Sequence, residues 1–314
     1  MDILNNMDEV FDVMILGAGA AGLAAGIYSS RAKLNTLILN EGAIGGQMVL
    51  TDEIANYPGV ETTKGYMVAN IMKKQAKEFG CKIKSNIKIA QYKLKGNIKT
   101  IKLEDGLSFQ AKSVILAPGG KPRQLNIPGE EQFKGTGVSY CATCDGDFFT
   151  DKDVIVIGGG NSALEEAVTL TNYASKVTIV HQFNHFQAFE HAVQEAEKNP
   201  KISFIMESEP REFKGNEVLE SVVIQNVATG ELSEIKTDGV FIFIGYLPNT
   251  DALKNIVKTN ELNEIIVDAD MKTNIPGVFA AGDCIVKKYR QVTTAVADGT
   301  IAALSAMEYL KSAD

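Results

Sequence analysis

The sequence predicts an α/β protein of two Rossmann-like, three-layer nucleotide-binding domains, the second inserted in the first. Three observations carry that expectation. Residues 11–42 and 152–183 repeat one plan: an apolar, β-branched run, a turn on glycines, a helix, and a return to an apolar strand. Each is a βαβ unit, which requires a parallel sheet. Each unit is followed by short strands, over 85–117 and 202–245, the first with turns at Gly96-Asn97 and Asp105-Gly106. The last observation concerns length. A chain of 314 residues suggests two domains, but a tail of this size cannot build a core alone. The tail carries an apolar strand, VFAAGDC at 278–284, and a helix from about Val292. It must return to the first domain. The expected division is 1–121 with 248–314, and 122–247 inserted.

The elements justify themselves in order. The first strand ends in Gly17-Ala-Gly19-Ala-Ala-Gly22. Gly17 permits the tight turn, Gly19 lets a pyrophosphate approach the backbone, and Gly22 lets the helix pack on the strand. The helix start then faces the phosphates with unpaired N–H groups. An acidic residue for a ribose is expected about 20 residues on. Asn40 occupies that slot and Glu41 follows it, so which side chain holds the ribose is open. Val13 to Ser30 carries no charge, but its four glycines and the acidic leader MDILNNMDEVFD are wrong for a secretory signal. No other segment reaches membrane length. The expectation is a cytoplasmic protein without membrane attachment.

Composition narrows the function further. The chain is 45 % hydrophobic and 22 % charged, which excludes disorder. Its net charge is −8, from 31 Lys+Arg against 39 Asp+Glu, so no bulk basic field invites nucleic acid. The arginines are only Arg31, Arg123, Arg211 and Arg290. Of four cysteines, Cys81 and Cys284 are isolated, while Cys141 and Cys144 form C-A-T-C, followed by Asp145. In a cytosolic chain such a pair is redox-active or half of a metal site. Zinc would need two more ligands, and the nearest candidates are His181 and His185, at i, i+4 spacing on a possible helix. No metal is expected. As a redox pair, one thiolate attacks a partner disulfide and the other resolves the mixed intermediate. The adjacent carboxylate can move the proton.

The set GAGAAG, GGQ (45–47), NYPG (56–59), SYCATCDG (139–146), GGGNSALEEA (158–167), GYLPN (245–249) and AAGDC…RQV (280–292) resembles the low-molecular-weight thioredoxin reductase family over nearly the whole chain. The resemblance implies FAD in the first domain. Gly17, Gly19, Ala20 and Gly22 would take its pyrophosphate, with Asn40 and Glu41 near the ribose. Gly46, Gln47 and Asn56 would line the flavin region, Asp283 the ribityl chain, and Gln291 and Val292 the isoalloxazine. It further implies Cys144 as the flavin-facing thiol, Cys141 as its partner and Asp145 as acid–base group. The family is usually a homodimer whose inserted domain rotates between two states. Its acceptor is thioredoxin or a thioredoxin-like protein.

One stretch departs from that pattern. The family's NADPH-dependent members read H-R-R-x-x-x-R after the second unit's second strand, and those arginines grip the 2′-phosphate. Here the stretch is His181-Gln182-Phe183-Asn184-His185-Phe186-Gln187. Three lost charge-assisted bonds are worth roughly 10³-fold or more in affinity. At this point the chain resembles the ferredoxin-dependent flavin thioredoxin reductases, which implies reduced ferredoxin as electron donor. Lys287, Lys288 and Arg290 would offer that acidic partner a docking surface. The alternatives are an NAD(P)H-dependent thioredoxin reductase and, more remotely, a non-catalytic redox sensor, which would need an output module.

Overall fold

A computed structural model describes residues 9–50 and 54–313; the acidic leader lies largely outside them. The chain forms two compact units, 1–121 with 247–314, and 122–246.

In the first unit β1 (Val10–Leu16), α1 (Ala20–Arg31) and β2 (Thr36–Asn40) realise the first βαβ plan. β1 pairs in parallel with β2, in the register Val13↔Thr36 to Leu16↔Leu39. β2 is buried throughout, the mark of a parallel strand covered on both faces. After α2 (Gly65–Glu78) come β3 (Lys82–Ser85), β4 (Ile89–Lys93), β5 (Lys99–Leu103) and β6 (Ser108–Leu116). The sheet order is β3-β2-β1-β6-β5-β4. β6 divides its second edge between two partners. Ser108–Ala111 pairs antiparallel with β5, and Val114–Leu116 pairs in parallel with β17 (Val278–Ala280). That parallel pairing is how the tail joins the sheet. α6 (Val292–Ala313) then packs on α1. One face of the sheet buries Ile15, Leu23, Ile38, Met72 and Ala303; the other buries Leu37, Ile101, Leu103 and Ile265.

Short strands β7 (Gly120–Pro122) and β16 (Tyr246–Pro248) carry the chain into and out of the second unit. That unit holds β8 (Val138–Ser139), α3 (Ala142–Asp145), β9 (Asp153–Ile157), α4 (Asn161–Leu170), β10 (Lys176–Val180), α5 (Glu190–Lys198) and β11 (Ile202–Ile205). It continues through β12 (Ser208–Gly215), β13 (Leu219–Asn226), β14 (Leu232–Lys236) and β15 (Gly239–Ile242). Its main sheet is β11-β10-β9-β15-β8, all parallel, beside an antiparallel β12-β13-β14 sheet. The expected meander over 202–245 is therefore shorter. Its first and last strands belong to the parallel sheet, where Ile202–Ile205 pairs with β10 and the fully buried Gly239–Ile242 pairs with β9. Helices cover one face over Val156, Leu164 and Ile179. The antiparallel sheet covers the other over Ile155, Val222 and Val240.

Two local expectations fail. VFAAGDC is strand only over 278–280; it breaks where Gly282 adopts φ +82°. His181 and His185 are not on a helix, since α5 begins only at Glu190. They lie in the loop after β10, where His181 Nε2 bonds to the His185 carbonyl at 3.1 Å.

Candidate functional site

The first glycine turn is shaped by close approaches. Gly17 has φ +110°, and a Cβ there would sit 2.1 Å from the Ala117 carbonyl oxygen. At Gly22 a Cβ would lie 1.9 Å from the Gly17 oxygen, so this turn of α1 can approach β1 only without a side chain. Gly19 is different. A Cβ there would meet nothing nearer than Gly46 Cα at 3.9 Å, which leaves a cradle open beside the helix start. The helix that follows has no side-chain cap and no acidic residue in its first turn. Ala20 begins it, and its first internal bond runs from Leu23 N–H to the Gly19 carbonyl. The N–H groups before Leu23 are free of helical partners, an arrangement that suits a pyrophosphate.

Some of the other expected cofactor residues of this unit lie against that turn, and others pair with one another. Gly45 N–H donates to the Ala18 carbonyl at 2.8 Å. Gly46 lies so close to Gly19 that a Cβ would be 3.1 Å from its Cα. Gln47 is exposed on the 3-10 turn that starts at Gly46. Asn56 Nδ2 donates to Gln291 Oε1 at 3.3 Å, joining residues 235 apart in sequence. Asp283 follows Gly282, whose Cβ would fall 2.8 Å from Ala21 Cβ, and the Asp283 Oδ1 atom is buried. Val292, half-buried, opens α6. Asn40 and Glu41 have tasks that the sequence did not reveal. Asn40 Oδ1 accepts the Ala18 N–H at 2.9 Å while its Nδ2 donates to the Gly42 and Ala43 carbonyls, so its amide braces the turn. Glu41 Oε1 accepts the Ile89 N–H at 2.9 Å. Gly299 was missed. A Cβ there would stand 2.1 Å from the Ala21 oxygen, so α6 crosses α1 in near backbone contact. A lone glycine in a helix signals such a contact only when its partner is known.

In the second unit Cys141 and Cys144 form a disulfide, with Cα atoms 5.3 Å apart. The single turn α3 arises because Asp145 N–H returns to the Cys141 carbonyl at 3.2 Å. Asp145 Oδ2 accepts the Ser139 hydroxyl at 2.5 Å, and Ser139 Oγ accepts the Cys141 N–H at 3.1 Å. Burial pushes the Asp145 carboxyl above the usual carboxylate range; the Asp147 charge adds to this, while the Ser139 hydrogen bond opposes it. Cys81 and Cys284 are free and buried, and burial raises their thiols to about 11 and about 12. At neutral pH both are protonated and inert.

The second glycine turn keeps its backbone. Gly158 has φ +138° and a Cβ there would lie 2.4 Å from the Phe243 oxygen, while Gly160 has only the Gln187 oxygen within reach, at 3.8 Å. Gln187 N–H donates to the Gly159 carbonyl, which lays the loop after β10 along the turn. Gln182, Phe183 and Gln187 are exposed on that loop. His181 is buried under it, and burial lowers its imidazole below the usual range. Arg211 does not replace the missing cations; it pairs with Glu209 and Gln225. The expected cationic surface at 285–291 is also altered. Lys287 is tied to Asp298 at 2.5 Å with both side chains largely buried, and Arg290 pairs with Glu264. Two of its three cations serve the fold. No cluster of three or more metal-ligating side chains occurs among the described residues, and no described helix is long and apolar enough to cross a membrane.

The model of the pyridine nucleotide-disulphide oxidoreductase family matches residues 11–299. A thioredoxin reductase of Peptoclostridium acidaminophilum is 47 % identical over 313 residues, covering 98 % of this chain and 99 % of its own. The chain belongs to the low-molecular-weight thioredoxin reductase family. A 34.2 kDa protein of the rubredoxin operon of Clostridium pasteurianum is 44 % identical, over 96 % of this chain and 98 % of its own. The crystal structure of a thioredoxin reductase from Streptococcus pyogenes superposes with a TM-score of 0.91 at 41 % identity, covering 96 % and 99 % of the two chains. The family's thioredoxin reductases are FAD flavoproteins, and the open, uncapped turn at Gly19 fits that group's pyrophosphate.

Proposed function

We propose that this protein is a flavoprotein disulfide reductase that reduces a thioredoxin or thioredoxin-like protein. The observation that carries the reading is the Cys141–Cys144 disulfide with the buried Asp145 carboxyl beside it. Gly17, Gly19, Ala20, Gly22, Gly46, Gln47, Asn56, Asp283, Gln291 and Val292 would hold FAD, which, once reduced by two electrons from the donor, would supply the pair that opens the disulfide. Two protons complete the dithiol. Cys141 thiolate then attacks the thioredoxin disulfide; a mixed disulfide forms and one thioredoxin sulfur leaves as thiolate and is protonated. Cys144 thiolate displaces the second sulfur, which restores the Cys141–Cys144 bond. Asp145 takes and returns the proton. Cys144→Ser should abolish thioredoxin turnover while flavin reduction persists; full turnover of that variant would refute the relay.

The donor we infer is reduced ferredoxin, because Gln182, Phe183 and Gln187 stand where a 2′-phosphate needs cations. The intact geometry at Gly158 and Gly160 favours a second reading, with NAD(P)H as donor. Anaerobic bleaching of the yellow protein by NADPH, NADH or reduced ferredoxin decides between them. Rapid bleaching by sub-millimolar NADPH would overturn the ferredoxin reading. A homodimer is supported by Tyr66, Met67 and Ile71, which leave an exposed apolar strip on α2. Sedimentation at micromolar concentration tests it, and a monomer refutes it.

A further inference from the structure

We infer that Ser139 is a positioning residue of the dithiol centre, its hydroxyl joining the Cys141 amide to the Asp145 carboxyl so that the proton carrier is held in fixed relation to the redox pair. This rests on the reading of Asp145 as proton carrier. Ser139 ends β8, which is locked in parallel register to β15 by Phe241↔Ser139. Only 5 % of the residue is exposed. Its Oγ stands in a closed ring. Cys141 N–H donates to it at 3.1 Å, it meets Asp145 Oδ2 at 2.5 Å, and Asp145 N–H returns to the Cys141 carbonyl at 3.2 Å. Both ends of the disulfide turn are thereby tied to one hydroxyl on a core strand.

That hydroxyl also serves both protonation states of the carboxyl. When Asp145 is ionised, Ser139 donates its only hydrogen to Oδ2. When Asp145 is protonated, the carboxyl donates to Oγ, and the serine hydrogen can turn to the Cys141 carbonyl, 3.4 Å away. Rotation about one C–O bond accommodates the transferred proton, and no heavy atom moves. A backbone amide in place of the serine could not do this, since it only donates. In the exchange, a cysteine thiol loses its proton to the Asp145 carboxylate as its sulfur bonds to the partner's sulfur. The partner's S–S bond breaks, and its leaving thiolate is protonated in turn. Asp147 in the next turn adds its charge to the carboxyl's surroundings, and α4, the helix packed against α3, carries Glu165 and Glu166. Among the described residues, the neutral Ser139 hydroxyl is what favours the charged form of Asp145.

The test uses FAD-loaded, pre-reduced protein mixed with an oxidised thioredoxin in single turnovers from about pH 5 to pH 9, for wild type, Ser139→Ala, Ser139→Thr and Asp145→Asn. Circular dichroism first establishes that each variant is folded. Loss of a hydrogen bond to a charged group should slow Ser139→Ala roughly tenfold or more near neutrality. It should also move the acid inflection of the rate upward in pH. Ser139→Thr, which keeps the hydroxyl, should restore the inflection even if its extra methyl lowers the plateau rate. Reduction-induced infrared spectra give an independent readout. A protonated-carboxyl band absent from Asp145→Asn should shift in Ser139→Ala. If Asp145→Asn is slow but Ser139→Ala follows the wild-type profile and band, the role of Ser139 is overturned and Asp145 stands. If Asp145→Asn itself exchanges like wild type, the proton-carrier reading fails, and this inference with it.

Discussion

The two glycine turns begin from one βαβ plan and end as different sites. Around Gly17–Gly22 the rest of the first unit closes in. Gly46 reaches Gly19, Gly282 and Gly299 reach Ala21, and Asn40 binds the Ala18 amide. Around Gly158–Gly160 the backbone turn survives, but its rim is Gln182, Phe183 and Gln187. In each turn a glycine is demanded by close packing, Gly22 in the first and Gly158 in the second, whatever ligand the turn holds. The groups that surround the two turns differ, and it is there that a difference in ligand would arise.

The largest test of that comparison is to rebuild the second rim. Gln182→Arg, Phe183→Arg and Gln187→Arg together should strengthen NADPH binding by roughly 10³-fold, from charge-assisted bonds of about 1.5–3 kcal/mol each. Titration of the cofactor against protein fluorescence reads it. No gain would mean that the rim does not limit dinucleotide binding.

Next come the glycines. Gly22→Ala forces a Cβ into the Gly17 oxygen and should cost about 1–3 kcal/mol or more in urea unfolding. Gly160→Ala, whose Cβ meets nothing within 3.8 Å and whose φ is −91°, should be nearly silent in stability. Equal losses would show the two turns to be under the same constraint. Asn40→Ala should cost about 1–3 kcal/mol, since it leaves the buried Ala18 N–H without its acceptor. It should also lower FAD retention on gel filtration. Normal stability and retention would remove Asn40 from the frame of the site.

The smallest effect expected is in pH. His181 titrates lower in the folded unit than in the unfolded chain, because burial disfavours its charged form. Its contribution to stability is therefore fully present above about pH 6.5, the unfolded value, and is lost as pH falls toward the folded value. His181→Gln should flatten the melting temperature of the second unit over that window and leave the first unit's unchanged. A slope that survives the substitution would place the titrating group elsewhere. Lys287 bears on the first unit through an ion pair, not through titration. Paired with Asp298 in a largely buried site, its Lys287→Glu variant should destabilise the fold before it reports on any docking partner.

Much of this was legible in the residues. Continuous apolar runs such as TLILN specify parallel strands buried on both faces, and a glycine turn between such a run and a helix specifies the crossover. The start of α6 at Val292 was legible for a related reason, since its apolar pattern follows a polar, charged segment. The C-A-T-C pair followed by an aspartate narrowed its chemistry to a redox pair or half of a metal site, and the structure joins the two cysteines in a disulfide. Less legible were groups whose role depends on a partner far along the chain. The i, i+4 spacing of His181 and His185 suggested a helix, but the backbone of that loop is committed to Gly159 and leaves only a ring-to-carbonyl bond between them. Lys287 and Arg290 read as surface cations until Asp298 and Glu264 were seen to neutralise them.

The sequence by itself determined the repeated βαβ plan, the spacing of the Cys141 and Cys144 pair and the absence of arginines after the second unit's second strand. These are local facts of residue type and spacing, set by backbone sterics and side-chain chemistry. Only the tertiary structure decided that Asn40 braces a turn rather than standing free for a ribose, that Asn56 meets Gln291 across 235 residues, and that one serine hydroxyl links Cys141 to Asp145. Hydrogen bonds and close approaches depend on distances of a few tenths of an ångström, and those distances are set only once strand register and helix crossing have brought remote segments together.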